Sequence, residues 1–88
     1  MNTRKLEKIV RGFSNHRRIQ IVELLARAPD LSVAEVSDEL EVDFRTISEH
    51  LRRLASAGLV LKRNVGNEVE HALSTVGKSI LKFLRTLE

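Results

Sequence analysis

The 88-residue chain contains no cysteine, tryptophan or tyrosine, and it has a single proline. Without cysteine it has no disulfide bond, no thiolate metal ligand and no cysteine nucleophile. Its aromatic fraction of 3% means that aliphatic side chains must form the core. No apolar run approaches the ~20 residues of a membrane span, and no apolar segment follows the charged N-terminus as in a secretory signal. We therefore expect a cytoplasmic protein with one domain, residues 1–88, because two separate cores would each be too small.

Basic residues are unevenly distributed along the chain, whose net charge is +3. Residues 1–30 carry seven basic and three acidic side chains, and residues 46–65 carry four basic and one acidic. Between these segments, residues 31–45 carry one basic and five acidic side chains. A basic excess suits an anionic partner. Composition alone nevertheless favours ordinary solvated surface charge.

Apolar residues recur at helical spacing in the N-terminal third of the chain. The first predicted helix covers about residues 3–13, and Gly12 is expected to weaken its end. Ser14 or Asn15 caps a second helix. This helix ends before Pro29, because the residue preceding a proline avoids the helical region.

Two further helices follow with clear start signals. Ser32 and Glu35 fit a capping box at the start of a short third helix. Asp43 caps a longer fourth helix that extends to about Ala57, and Gly58 ends it where a positive φ is common. The apolar residues of the fourth helix recur at spacings of four and three, so they form one buried stripe: Ile47, Leu51 and Leu54.

After Gly58 the pattern changes to alternation, which is typical of strands. Residues 59–64 and 68–73 alternate on either side of Gly66 and Asn67, two residue types that tolerate a tight hairpin turn. Ser74 or Thr75 then caps a final helix over about residues 75–87. The predicted fold is mainly α with a small β-hairpin: a helix-turn-helix over about 32–57 followed by a wing over about 59–73.

Four segments resemble the ArsR-like winged-helix regulators, and the resemblance runs from about residue 13 to residue 73. They are Phe13–Leu25, Leu31–Val36, Thr46–Leu54 and Ala57–Val60. The resemblance implies a homodimeric transcriptional regulator that binds an inverted repeat in double-stranded DNA, with repression as the expected action. It indicates no effector.

The chain departs from the metal sensors of that family. Many of them carry two cysteines in the third helix, where this sequence has Ser32 and Ala34, and others use histidines and carboxylates on the last helix, where it has neither. His16, His50 and His71 do not pair with other ligands at metal-site spacing. We predict no metal, no cofactor and no enzymatic activity, since a Gly-rich phosphate loop and a nucleophile–base–acid set are also missing.

A second departure lies in the turn between the third and fourth helices. The family usually has glycine there, and this chain has Glu41. A left-handed conformation at Glu41 would cost about 1 kcal/mol relative to glycine. We predict that Glu41→Gly stabilises the protein.

The N-terminal part of a recognition helix faces the base edges in the major groove. The residues predicted there are Phe44, Arg45, Ser48, Glu49 and Arg52. The residues predicted to contact phosphates, three of them in the wing, are Arg17, Arg18, Thr46, Arg53, Lys62, Arg63 and Asn64. Glu49 has an alternative role in intrahelical pairs with Arg45 and Arg53, which we favour. The alternative role of Arg18 is in a structural ion pair, and that of Phe44 is to cover the turn.

The terminal helices, about 3–13 and 75–87, carry more apolar surface than so small a core can absorb. The resemblance implies that they form the dimer interface through Leu6, Ile9, Val10, Phe13, Val76, Ile80, Phe83, Leu84 and Leu87. The acidic side chains of the third helix should point away from DNA. The alternative function is a winged-helix protein-interaction module, which would lack the steep salt dependence of DNA binding.

Overall fold

Five helices and one antiparallel hairpin make up the fold in a computed structural model that describes residues 1–88. The helices are α1 (Thr3–Phe13), α2 (His16–Arg27), α3 (Val33–Leu40), α4 (Phe44–Ser56) and α5 (Thr75–Arg85). The strands are β1 (Val60–Val65) and β2 (Glu68–Leu73), between α4 and α5. This order confirms the predicted winged helix-turn-helix. None of the helices is long and apolar enough to cross a membrane.

Polar side chains fix where the helices of the helix-turn-helix begin. The capping box is present, since the Glu35 amide donates to Ser32 Oγ at 3.2 Å and the Ser32 amide donates to Glu35 Oε1 at 2.9 Å. Asp43 accepts from the Thr46 amide at 2.9 Å. These three bonds satisfy amides that the start of a helix leaves free. The turn between the two helices contains Glu41 in the left-handed region, at φ 56° and ψ 44°, as predicted.

The core is aliphatic apart from one phenylalanine. It consists of Phe13, Ile21, Val22, Leu24, Leu25, Val36, Ile47, Leu51, Leu54, Leu59, Val60, Leu73 and Leu81. The predicted stripe of α4 is fully buried, since Ile47, Leu51 and Leu54 expose none of their surface. Burial of this stripe determines which side chains of α4 face the solvent.

Gly12 lies inside α1, which ends at Phe13, the predicted boundary. A Cβ atom at Gly12 would overlap the Cβ of Ala57. The glycine therefore allows α1 to pack directly against the C-terminal end of α4. Its cost in helix propensity is offset by this close contact.

The wing is a hairpin anchored to the loop before α3. Gly66 adopts φ 60° in its turn. The strands pair with Lys62 opposite His71, and a bridge joins His71 to Leu31, which sequence patterning did not predict. The His71 amide and its Nδ1–H both donate to the Leu31 carbonyl at 2.9 Å. This contact ties the wing to the helix-turn-helix.

Glu41→Gly is expected to raise the free energy of unfolding by about 1 kcal/mol, because glycine adopts the left-handed region without the Cβ penalty. For a chain of this size the melting temperature should rise by roughly 4–8 °C. Thermal unfolding followed by circular dichroism measures the change.

The matched control is Glu41→Gln, which removes the charge beside the acidic third helix and leaves the backbone preference unchanged. An equal rise in both variants would show that charge repulsion, and not backbone strain, is relieved.

His71 should make the protein less stable as the pH falls. Its side chain is 1% exposed, and burial lowers its pKa from the ordinary value of 6.5. The unfolded chain therefore binds the proton more readily, so stability is complete above about pH 6.5 and is lost as the pH falls toward the folded-state pKa. Chemical denaturation between pH 7.5 and 5 should show this decline.

His71→Asn keeps an amide donor toward Leu31 and removes the titration, so its decline should be shallower. His50, whose pKa is also lowered by burial, accounts for part of the remainder. The exposed His16→Asn variant serves as the control. A decline in the His71→Asn variant as steep as in the unaltered protein would contradict the prediction.

Candidate nucleic-acid interface

The solvent-facing row of α4 begins with side chains that have few internal partners. Phe44 is 57% exposed, and Arg45 is exposed beside it at the start of the helix. No hydrogen bond or ion pair engages the Arg45 guanidinium. Ser48 lies half-buried on the flank of the row. This end of α4 is therefore open to an external ligand.

Glu49 holds the cations of the middle of the row. Its carboxylate accepts two bonds from Arg52, at 2.7 Å from Nη2 and 3.1 Å from Nε, and one from Arg53 Nε at 3.0 Å. The two arginines lower the pKa of Glu49 to about 2. The predicted pair with Arg53 is confirmed, whereas that with Arg45 is wrong. Arg52 takes its place, since a glutamate pairs better with cations that follow it along a helix.

Thr46 is part of the helix cap. Its hydroxyl donates to Asp43 Oδ1 at 2.7 Å, and this bond is the main cause of the lowered pKa of the Asp43 carboxyl. The hydroxyl was predicted to contact phosphate. In this structure the hydroxyl donates its hydrogen to Asp43, so only the lone pairs of the oxygen remain available for another hydrogen bond.

Arg18 connects three helices and does not form the predicted ion pair. Its Nε donates to His50 Nδ1 at 3.2 Å, and its Nη1 donates to the carbonyls of Arg11 at 3.3 Å and Gly12 at 3.4 Å. The carbonyl partners are the free acceptors at the end of α1. Burial and the Arg18 charge lower the pKa of His50, which keeps its ring available as an acceptor. Arg17 lies nearby, and its guanidinium donates only to Gln20 Oε1, at 3.1 Å.

The wing carries one paired and one unpaired cation. Arg63 Nη2 lies 2.9 Å from Glu70 Oε1 and 3.9 Å from Asp30 Oδ1, so its charge is balanced within the protein. Lys62 and Asn64 are exposed and have no side-chain partner. Of the three predicted wing contacts, these two are the ones without an internal partner.

Acidic residues of α3 gather on a different surface from the row of α4. Glu35, Asp38 and Glu39 line a groove with Arg27. All the residues that line this groove belong to α2, to α3 or to the loop between them.

The terminal helices leave a set of apolar side chains in solvent. The exposed members are Leu6, Val10, Val76 and Phe83. Leu87 is also exposed, but it lies in the turn after α5, which ends at Arg85 and not at residue 87 as predicted. Ile9, Ile80 and Leu84 pack partly against the core. Phe13 is only 9% exposed, so it belongs to the core of the single chain and leaves little surface for the predicted interface. Phe13 lies at the end of α1, next to Gly12, where this helix packs directly on the end of α4.

The histidines are dispersed, and no group of three or more histidine and carboxylate side chains is placed to hold a metal ion. His71 is committed to the Leu31 carbonyl and His50 to Arg18.

Comparison with known families decides the identity of this winged helix. Residues 15–62 match the model of the bacterial regulatory proteins of the arsR family. The chain belongs to the arsR family. It is thus a transcriptional regulator with a winged helix-turn-helix DNA-binding fold and not an enzyme, as predicted.

Two curated relatives lie in distant organisms. The transcriptional activator HlyU of Vibrio cholerae is 34% identical over 95 residues, which cover 99% of this chain and 87% of HlyU. An uncharacterized HTH-type transcriptional regulator of Methanocaldococcus jannaschii, MJ1325, is 37% identical over 62 residues, which cover 70% of each chain.

Solved structures show the same fold. Reduced HlyU from Vibrio cholerae superposes with a TM-score of 0.83, at 34% identity, over 98% of this chain and 90% of that one. The homodimeric winged helix-turn-helix DNA-binding domain of Mb0332 from Mycobacterium bovis gives a TM-score of 0.88. It is 22% identical, with 97% of this chain and 79% of that chain covered.

Sequence reasoning missed the partners of several of these side chains. Arg18 and His50 are 32 residues apart, and the bond from His71 to Leu31 spans 40. A pair as distant as these carries no local pattern. The basic excess of residues 1–30 indicated that this segment could contribute additional cationic side chains to the site. It did not indicate which of these side chains lie close together in the fold.

Proposed function

We propose that this protein acts in the cytoplasm as a homodimer that binds an inverted repeat in double-stranded DNA sequence-specifically and without a metal ion. The observation that carries the proposal is the face of α4 opposite its buried stripe. That face presents Arg45, free of internal partners, at the helix end that enters the major groove in helix-turn-helix proteins. The family to which the chain belongs supports the proposal.

Arg45 is the proposed base-reading residue. An unpaired guanidinium can donate two bonds to guanine O6 and N7, the commonest specific contact in the major groove. The exposed ring of Phe44 is free to contact a thymine methyl group. Ser48 lies beside them, and Arg52 and Glu49 follow along the row. Glu49 can accept a hydrogen bond from cytosine N4 only if its carboxylate releases Arg52 or Arg53.

Phosphate contacts position such a protein without reading sequence. Arg17, Lys62 and Asn64 are the proposed contacts whose side chains are not held by acids. Arg53 and Arg63 must leave carboxylates, but exposed ion pairs stabilise by only about 0–1 kcal/mol. A phosphate can therefore replace Glu49 or Glu70 as their partner at little cost.

Dimerisation is supported by the apolar side chains that α1 and α5 leave exposed. Ile9 of α1 and Val76 of α5 line the same surface cavity, of about 280 Å³, so the two stripes are neighbours. A two-fold dimer would place two copies of α4 about 34 Å apart, on successive major grooves. The homodimeric state of the Mycobacterium bovis domain is in keeping with this arrangement.

Absence of metal sensing is supported by the residue types at the family's metal positions. Ser32 is engaged in the capping box, and Ala34 has no donor atom. Repression was the expected action, whereas the Vibrio cholerae relative is named an activator. The proposal therefore concerns binding, and the position of the DNA site relative to the promoter decides the direction of regulation.

Selection of bound duplexes from a random pool tests the base-reading role. The unaltered protein should enrich an inverted repeat, and Arg45→Ala should lose preference at one position per half-site, with discrimination falling by about 1–3 kcal/mol. Arg27→Ala, in the acidic groove, is the matched control and should enrich the same repeat.

A uniform loss of affinity in Arg45→Ala would reassign this residue to the phosphate backbone. The proposed function would be contradicted if the unaltered protein enriched no duplex and if its binding to DNA did not weaken as the salt concentration rises. That result would favour the protein-interaction module.

Phe83→Glu should convert the dimer into a folded monomer. The ring is 53% exposed in the single chain, so a charge there disrupts the interface and leaves the core intact. Sedimentation equilibrium at tens of micromolar measures the mass, and the neighbouring Lys82→Glu variant controls for the added carboxylate. A monomeric unaltered protein, or a dimeric Phe83→Glu variant, would count against the interface.

A further inference from the structure

A small cleft at the C-terminal end of α4 gathers cations from three helices. Lys8 and Arg11 come from α1, Arg18 from α2 and Arg53 from α4, around a space of about 180 Å³. Gly12 and Ser56 also line this cationic cleft, and no acidic residue does. The close packing of α1 on α4 at Gly12 brings the four side chains together.

The four cations differ in how firmly they are held. Arg18 is fixed by neutral acceptors. Arg53 is bound to Glu49, and Arg11 lies at a longer 3.8 Å from Glu7. Lys8 has no ion pair or side-chain hydrogen bond. Both carboxylates lie outside the lining, so the cleft itself presents only positive charge.

A helix C-terminus by itself would repel an anion. The aligned peptide dipoles of α4 place about half a negative charge at that end. Lys8 and Arg18, the two cations without a carboxylate partner, carry two full positive charges and already exceed this partial charge. The cleft is therefore the place where the C-terminal end of α4 becomes attractive to phosphate.

The cationic cleft is continuous with the face of α4 proposed to meet DNA. Ser56 lines the cleft and also ends the outward row that Arg45 begins. At 1.5 Å per residue these two positions are about 16 Å apart along the helix, which exceeds the depth of the major groove, about 8.5 Å. With Arg45 at the base edges, the C-terminal end of α4 can therefore lie outside the groove, near the phosphates of a bordering strand.

We propose that the cationic cleft binds one backbone phosphate of the DNA strand bordering the groove, with Lys8 and Arg11 as new contact residues. This inference rests on the proposed function. The cleft, of about 180 Å³, has room for several water molecules of about 30 Å³ each, but it is smaller than small-molecule sites, which begin at roughly 300 Å³. This volume suits a phosphate group. The site extends the DNA contact from the helix-turn-helix to α1.

Salt dependence of DNA affinity tests the site. With the selected duplex, the double variant Lys8→Ala/Arg11→Ala should lower the slope of log K against log salt by about 1 per protomer, the value for one lost phosphate. Its sequence preference should be unchanged. The charge-matched control is Lys78→Ala/Arg85→Ala, which removes two cations of α5 that line another groove.

The charge-preserving double variant Lys8→Arg/Arg11→Lys should keep the original slope. Sedimentation of each variant confirms that the dimer persists, because α1 also carries the proposed interface. An unchanged slope in Lys8→Ala/Arg11→Ala, or an equal fall in the α5 control, would overturn the inference while leaving sequence-specific binding intact. No binding by the unaltered protein would contradict the proposed function itself.

Free phosphate is the other source of the same chemistry. Titration of inorganic phosphate into the DNA-free protein, followed by amide shifts at Gly12 and Ala57, distinguishes it. Millimolar saturation at these amides together with an unchanged DNA slope would assign the cleft to a free anion and overturn the proposal. Weak, unsaturated shifts with the lowered slope support it.

Discussion

The orientation of α4 depends on burial of three side chains, Ile47, Leu51 and Leu54, none of which keeps any exposed surface. Each fully buried aliphatic side chain contributes about 1.5–3 kcal/mol, whereas the ion pairs on the opposite face are exposed, so that water and salt weaken them. The apolar stripe therefore fixes which face is outward. A shift of the stripe by one residue would rotate the helix by about 100° and remove Arg45 from the solvent-facing row.

On the outward face, charge is arranged to leave one arginine free. Glu49 engages Arg52 and Arg53 and forms no ion pair with Arg45. A recognition helix with three free arginines would bind any duplex through its phosphates. Holding two of them with a carboxylate lowers this general attraction and leaves the proposed base-reading residue, Arg45, unpaired, an arrangement that favours selectivity over affinity.

Local signals predicted most of the fold. Apolar spacing and caps at Ser32 and Asp43 located α3 and α4 to within about a residue, and the departure from glycine at Glu41 indicated a left-handed turn that is present. The contacts of the candidate site were harder to predict, because they join distant segments. The role of Gly12 depends on Ala57, and the partner of Arg18 depends on α4. Such pairings follow from packing angles, which the sequence pattern does not specify.

Packing at Gly12 also links the proposed dimer interface to α4, the helix proposed to bind DNA. The absence of a side chain there lets α1 rest on Ala57, and Arg18 joins the end of α1 to His50 in α4. A displacement of α1 would therefore break the Arg18 bonds, open a gap at Gly12 or carry α4 with it. In a dimer held through α1 and α5, the spacing of the two recognition helices is then set by the interface. The cationic cleft lies at this joint, so a phosphate bound there would stabilise the same arrangement of α1 on α4 that positions Arg45.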